Sequence, residues 1–512
     1  MFYKIKLFFL LRINKNYNKV IKKNELYKIR KLKSDLAGYQ ILDIASKFSK
    51  EFEISVRQYL FQKLLGQLFL KQLFFFNQKK ILFPIPKEWN EIFEKNFFKV
   101  SRVSNYLFRL FLVYQIYNGI SFIIKVLIEY FKKKNQTNLN KSDIILHNIA
   151  NKHLKYISSN SDDFNILFWL KKKFPNKSFF FANKTDGKDK NNNLNYLNYF
   201  FSNIINDLDL IKFIKLSLKV IVESFFYLFT NKWSKTLMTE EILKKILVKS
   251  IKNKKENFPE KNIFIYIANI YRPLWTYEVE KFSEIILQCT SELSDTPLVT
   301  DEYSKIYDFK GYNMMTWPNI NVWTNKNYLE FKKVSPKINV SLSDPITIID
   351  KQFNPIFSNR VIALFAYFPD KSTYGIAQMT DYVFKPDNKN FKFFKDIISL
   401  SNKYNFNIFI KNKPKKIQTT YKKFLYFMNN LSSKKNIQIL EPEISPHKIV
   451  KYSNAVISFP FTSTYIIGKY YSKPSIYYDP LNLVENQGDV DLIMSYIELE
   501  NWFKDLDKRF KT

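Results

Sequence analysis

The stretch Asn454–Pro480, NAVISFPFTSTYIIGKYYSKPSIYYDP, decides how this chain is read. A β-branched run at Ala455–Ile457 meets a proline-containing corner. Three hydroxyl residues then open an apolar helical segment that stops near Lys473-Pro474 and yields to a second β run. Strand, loop, helix, strand is the repeating unit of a parallel sheet. Thr462, Ser463 and Thr464 suit an N-cap, because a side-chain oxygen there accepts from an unpaired N–H of the first turn. The remaining N–H groups and the positive helix end would seat a phosphate. An ordinary capped crossover helix is the alternative.

The same alternation extends outward from this stretch. Short apolar runs at Val361–Phe365, Asn407–Ile410 and Ile437–Leu440 are separated by helical patterns at Phe391–Tyr404 and Thr420–Leu431. Ser445-Pro446-His447 opens a further helix, and a terminal one covers Val490–Arg509. Earlier β runs fall at Lys177–Ala182, Ile263–Ala268, Ile285–Cys289 and Ile338–Leu342, with helices at Thr276–Phe282 and Tyr328–Lys332, and Lys80–Pro86 reads as the first strand. The expected class is α/β, with two Rossmann-like domains behind a helical N-terminal extension. The expected boundaries are 1–78 for a basic helical region, 79–345 for the first α/β domain, 350–489 for the second and 490–512 for a closing helix. Neither a P-loop nor a GxGxxG fingerprint is present, which disfavours P-loop hydrolysis and the usual dinucleotide binding.

Composition limits the rest. The chain has 512 residues, 46% of them hydrophobic, enough for more than one core. Its formal charge of +35 would suggest an anionic partner, but Lys, Asn, Ile, Phe and Tyr together follow A/T-rich codons, so the charge is weak support for nucleic acid. Cys289 is the only cysteine, and His147, His153 and His447 are dispersed. No disulfide framework and no Cys- or His-based metal site is expected, and the single thiol suits a reducing compartment.

Three apolar segments raise the question of a membrane. At the N-terminus only Leu7–Leu11 is uninterrupted, and the basic run from Lys15 through Lys33 could rest on an anionic surface or simply be solvated. Within Val103–Phe131, Arg109, Lys125 and Glu129 leave Leu110–Ile124 uncharged, which favours a buried helix first and shallow membrane contact second. Leu208–Phe229 places Lys212, Lys215, Lys219 and Glu223 in one narrow stripe on an otherwise apolar helix, so most of its girth should be buried, in the core before lipid.

The segment SFPFTSTYIIGKYYSKPSIYYDP resembles the signature of the polysaccharide biosynthesis PFTS-motif family of bacterial surface-glycan gene clusters. Pro460-Phe461-Thr462-Ser463 matches the tetrapeptide, and Lys473-Pro474, Tyr478-Asp479-Pro480, Arg272–Glu278, Trp317-Pro318 and Val322-Trp323 look like family pieces. The resemblance implies a GT-B-like glycosyltransferase with two facing Rossmann-like domains, of which the C-terminal one binds a nucleotide sugar. It implies no bound metal and no cofactor beyond that substrate. Lys411-Asn412-Lys413-Pro414 stands where capsule-assembly relatives have a Lys/His-Pro motif, and Ser341–Pro345 stands where they place a glycine after the strand.

The expected roles follow. Thr462, Ser463, Thr464, Lys411 and Lys413 would bind the donor phosphate. Glu278, with Glu280 and Asp370 behind it, would take the acceptor proton, and Arg272, Trp275 and His447 would touch other parts of the substrates. For Glu278 a helix-dipole carboxylate is the alternative, and for Arg272 a structural ion pair. The expected partners are a nucleotide sugar and a glycan or lipid-linked acceptor, with no nucleic acid, in the cytoplasm with peripheral contact at the inner face of the plasma membrane. A noncatalytic glycan-assembly protein and a nucleic-acid-binding protein are the rival readings.

Overall fold

The computed structural model describes residues 49–60, 80–81, 84–95, 99–133, 143–150, 166–184, 199–230, 232–266, 270–291, 314–348, 351–366, 391–412, 422–459, 462–482 and 490–511. They form two compact units. The first comprises Met1–Leu154, Lys173–Cys289 and Tyr307–Ser343, and the second Lys155–Lys172, Thr290–Ile306 and Asp344–Thr512. The expected N-terminal basic segment and the tip of the motif, Pro460-Phe461, lie outside the described residues, as do Asp370 and Lys413.

The run at Lys80–Pro86, expected as the first strand, does not enter the main sheet. It contributes only β1 (Lys80–Ile81), which pairs with β2 (Lys99–Val100) in a separate two-stranded ladder. Two prolines, Pro84 and Pro86, lack the N–H that a central strand must donate. The main sheet instead begins with β3 (Ile144–Ala150), a strand the sequence pattern obscured because His147 and Asn148 interrupt its apolar run. His147 is buried there, stacked 4.3 Å from Phe264, with Nε2 2.9 Å from Asn262 Oδ1.

The first unit continues with β4 (Phe179–Lys184), β5 (Lys261–Tyr266), β6 (Glu284–Cys289), β7 (Asn319–Val322) and β8 (Asn339–Leu342). All pairs are parallel, in the spatial order β4-β3-β5-β6-β7-β8. In chain order this is 2-1-3-4-5-6, so the direction of winding reverses between β3 and β5.

A helical layer accompanies that sheet: α1 (Lys50–Tyr59), α2 (Arg102–Lys133), α3 (Leu210–Tyr227), α4 (Trp233–Leu237) and α5 (Thr239–Lys249), followed by a single turn, α6 (Thr276–Val279), and α7 (Asn325–Val334). Ser49, Asp209 and Thr324 cap α1, α3 and α7 through side-chain oxygens. Phe52, Trp89, Phe93, Phe108, Trp233 and Leu237 join one apolar cluster beneath these helices. The expected burial of α3 does not hold. Phe213, Ser217 and Ser224 face inward while Leu218, Val222 and Phe226 are exposed. Periodicity reveals that a helix has two unlike faces, but not which one the protein covers.

The second unit holds β9 (Val361–Ala366), β10 (Asn407–Asn412), β11 (Ile437–Leu440), β12 (Ala455–Ser458), β13 (Ser475–Tyr478) and β14 (Leu492–Ile493), again all parallel. Their spatial order is β11-β10-β9-β12-β13-β14, or 3-2-1-4-5-6 in chain order, the Rossmann arrangement. Alternate strand residues, among them Ile362, Leu364, Ile408, Ile410 and Ile457, pack against α8 (Lys392–Lys403), α9 (Lys422–Ser432) and α12 (Tyr496–Lys508). The opposite face carries α10 (Pro446–Lys451) and α11 (Thr464–Tyr470). With both faces covered, the central strands must be apolar throughout, and β9 is buried at every position. Both units are thus of the expected Rossmann-like α/β class.

Candidate functional site

In an open parallel sheet, ligands bind outside the carboxyl ends of the strands where the strand order reverses, because the two flanking loops diverge there. In the second unit that point lies between β9 and β12. Ser458, the last residue of β12, pairs in register with Phe365 of β9, and so does Lys411 of β10. Lys411, Phe365 and Ser458 therefore stand level on three adjacent strands, with their side chains on the face that carries α11. The motif turn begins one residue later.

The hydroxyls of that turn bond to one another rather than cap the helix. Thr462 Oγ1 donates to the Phe459 carbonyl at 3.0 Å and lies 3.0 Å from Thr464 Oγ1, which is 2.8 Å from Ser458 Oγ. A hydroxyl has one proton, and Thr462 spends it on Phe459. Thr464 must then donate to Thr462, and Ser458 to Thr464. The chain of donors ties the end of β12 to the start of α11. From the next strand, Tyr477 Oη donates to the Thr462 carbonyl at 3.1 Å, and its ring stacks on Tyr465 at 4.3 Å. Burial raises the Tyr465 hydroxyl above its ordinary range, so it stays protonated near Asp491.

The expectation of side-chain caps is corrected here. Ser463 occupies the N-cap position in αR geometry, and its side chain makes no cap bond. Since α11 has 7 residues, its dipole is also a small source of positive potential. What the local geometry provides is a turn held rigid at the switch point, with a lysine level with its start. Ser458 and Tyr477 were not foreseen as part of it. The available signal was a hydroxyl ending each of two otherwise apolar strand runs.

Glycine permits the close packing behind the turn. A Cβ on Gly468 would fall well inside contact with Ser475 Oγ and 3.0 Å from Val456 Cγ2, so α11 lies almost directly on β12 and β13. His447, on α10, is buried with its ring 5.8 Å from that of Tyr471. Burial pushes its pKa down to about 3, outweighing a backbone hydrogen bond to Pro345, and the imidazole is neutral.

The remaining candidates belong to the first unit and are committed to internal bonds. Glu278 meets Lys281 at 2.8 Å, Lys249 at 3.4 Å and Lys245 at 3.6 Å. Burial alone would raise its carboxyl, but these cations hold it below the ordinary range. Arg272 is buried. Its backbone N–H donates to Gln58 Oε1, Nε to Thr276 Oγ1 at 3.0 Å and one terminal nitrogen to the Thr316 carbonyl at 2.6 Å, while the other pairs with Glu280. Its guanidinium also covers the Tyr277 ring at 3.9 Å. Trp275 packs among Phe200, Phe201 and Phe264, a core position. Among the described residues no three of His, Cys, Asp and Glu gather as a metal cluster would require.

The family described as polysaccharide biosynthesis PFTS motif protein matches residues 216–503, more than half the chain. Among curated protein sequences none matches. Solved structures similar to this one include apo OtsA, at 10% identity over 72% of this chain and 91% of that one with a TM-score of 0.33. The trehalose-6-phosphate synthase of Burkholderia multivorans aligns at 9% identity over 72% and 90% of the two chains with a TM-score of 0.33. S. aureus TarM, in complex with fondaparinux, α-GlcNAc-glycerol and UDP, aligns at 13% identity over 52% of each chain with a TM-score of 0.28. At TM-scores this low none of them bears on mechanism.

Proposed function

The chain belongs to the polysaccharide biosynthesis PFTS motif family, and from that premise we propose that it is a glycosyltransferase, moving a sugar from a nucleotide-activated donor to a bacterial surface polysaccharide or its lipid-linked precursor. The observation that carries the reading is the position of the motif turn. It leaves β12 beside β9, where the strand order of a Rossmann sheet reverses and nucleotides are held.

In this reading the donor diphosphate lies over the turn. Lys411, with Lys413 beyond it, balances the charge that grows on the leaving nucleotide as the anomeric C–O bond breaks. The hydroxyl chain through Ser458, Thr464 and Thr462 keeps the turn from moving as that charge develops. Preorganised donors of this kind are typically worth about 3 kcal/mol each in the transition state. The acceptor hydroxyl forms the new C–O bond, and its proton passes to a carboxylate. Asp370 follows β9 in sequence, on the same switch point. It therefore takes precedence over Glu278 and Glu280, whose carboxylates are tied to lysines and to Arg272. No cofactor beyond the sugar nucleotide is invoked, and the reaction is assigned to the cytoplasm, where nucleotide sugars are made.

One observation favours the second reading, a noncatalytic glycan-assembly protein: Glu278, Arg272 and Trp275 of the first unit are all absorbed by structural contacts. A thermal-shift series with uridine-, guanosine-, cytidine- and thymidine-linked sugars separates the two. One nucleotide class should raise the melting temperature progressively with concentration, and Lys411→Ala should weaken that response about tenfold. No stabilisation by any class removes the donor site. Stabilisation without transfer of radiolabelled sugar to membrane extracts leaves the assembly role.

A further inference from the structure

A helix at a water-facing surface normally turns its apolar stripe inward and its polar side outward. In α3 the order is inverted. Its inward side carries Ser217 and Ser224, with Ser224 Oγ 2.9 Å from Thr239 Oγ1 of α5 and its carbonyl accepting from Thr236 Oγ1 at 2.9 Å. Its outward side carries Ile211, Leu218, Val222, Phe225, Phe226 and Phe229, exposed by as much as 81% at Ile211 and 72% at Phe226. Water would drive these faces to exchange places, because each large apolar side chain left out forfeits its burial. Small residues between helices and large apolar ones outside are the pattern of helices that meet lipid.

The neighbouring helix extends the same surface. Helix α2 buries Phe108, Leu112, Ile116 and Val126 on one side and exposes Tyr106, Leu110, Tyr117, Ile124 and Phe131 on the other. It is apolar around most of its girth and long enough to cross a membrane, yet its inner side is packed on protein. The two helices run antiparallel. Gly119 of α2 approaches Ile221 of α3, and the Arg109 guanidinium lies 6.0 Å from the Phe229 ring. Their outward faces therefore join. The 18 residues of α3 alone give this surface a length of roughly 27 Å.

Charge borders one edge. At about 100° per residue, Lys212, Lys215 and Lys219 line the rim of the apolar arc of α3 on the side away from Ile221, and hence from α2. Glu223, in the same stripe, is taken by Lys235 at 3.0 Å, and among the described residues the three lysines make no ion pair. An apolar face edged by lysines, with tyrosines at its margin, matches an anionic lipid surface: acyl chains meet the apolar side and headgroup phosphates meet the lysines.

We propose that the outward faces of α2 and α3 form a membrane-docking surface, with both helices lying in the plane of an anionic bilayer and the first unit held against it. This does not depend on the donor-site reading, and the two fail separately.

The test is co-flotation of the full-length chain with vesicles of equal parts phosphatidylglycerol and phosphatidylcholine, and with vesicles of phosphatidylcholine alone. Binding is expected to the first and to be far weaker with the second. Leu218→Asp, Phe226→Asp and Phe229→Asp together should abolish it without lowering the melting temperature, since all three side chains already face outward. Lys212→Gln, Lys215→Gln and Lys219→Gln should each weaken it about fivefold, and on the order of a hundredfold together. Absence of binding by the wild-type chain overturns the proposal, as does binding that the aspartate variant retains. Light scattering and oxidative footprinting are run on the same samples. A dimer that the aspartate variant dissolves would identify the occupant as a second copy, and Phe226 and Phe229 protected in a vesicle-free monomer would identify the chain's own residues. Either result also overturns it.

Discussion

Replacing Thr464 by valine tests whether the hydroxyl chain holds the motif turn. Valine keeps the branched shape and removes only the oxygen, so packing is nearly unchanged. Two bonds are lost, at 2.8 Å to Ser458 and 3.0 Å to Thr462. Ser458 is fully buried and Thr462 nearly so, and water cannot easily replace the missing partner. Thr462 keeps its bond to the Phe459 carbonyl, whereas Ser458 keeps a proton with no acceptor. Stranding one buried hydroxyl and losing one further neutral bond costs about 2 kcal/mol, roughly a thirtyfold change in the unfolding equilibrium. Ser458→Ala removes the stranded group and should restore part of that loss, giving a coupling of at least about 0.5 kcal/mol in a double-mutant cycle. Urea denaturation of the four proteins measures it. An unchanged midpoint for Thr464→Val, or strict additivity in the cycle, would refute a load shared along the chain. If the turn also seats the donor, nucleotide-sugar affinity should fall in the same variants under conditions where all remain folded.

Glu278→Gln should cost about 1–2 kcal/mol, since it leaves Lys281, Lys249 and Lys245 around a neutral amide partly open to solvent; turnover of the folded fraction should stay within a few-fold of wild type, and a loss of several orders of magnitude would reinstate it as the base. Because its folded carboxyl is depressed, its contribution should be complete above the ordinary glutamate range and vanish as pH falls through the lower folded value, which acid titration of the denaturation midpoint detects in the wild type but not in the variant. Gly468→Ala should destabilise by about 1–3 kcal/mol through collision with Ser475, with partial recovery when Ser475→Ala is added; equal melting temperatures for all three proteins would contradict the packing. His147 and His447 are buried neutral, with pKa values of about 4 and about 3 against an ordinary 6.5. Unfolding lets them take up protons, so stability should be whole above pH 6.5 and decline below it, and a flat profile from pH 7 to pH 5 would contradict their burial.

The strands were legible wherever a parallel sheet buries them on both faces, because continuous apolar runs as short as Val361–Ala366 and Ala455–Ser458, bounded by turn residues, suit a fully buried strand better than a helix. Lys80–Ile81 and Ile144–Ala150 were misread in opposite directions. The first looks apolar but lies beside prolines, and the second carries a polar pair that Asn262 satisfies only once β5 is alongside. At the site, the hydroxyl run Thr462–Thr464 marked the right turn, but three potential caps are indistinguishable from three mutually bonded hydroxyls until Ser458 is brought up from below. Arg272 and Glu278 looked available because their partners Thr316, Lys245 and Lys249 are remote in sequence.

By itself, then, the sequence determined the α/β class, the position of most strands and the family to which its motif belongs. Those follow from local patterns of side-chain polarity and turn chemistry, which act over a few residues. The tertiary structure alone decided the strand orders, and with them the switch point between β9 and β12 at which the motif turn stands. It also decided which face of α3 is covered. Order and facing depend on pairings between segments tens to hundreds of residues apart, and no local period records which of two faces, or which of several strands, will find a partner.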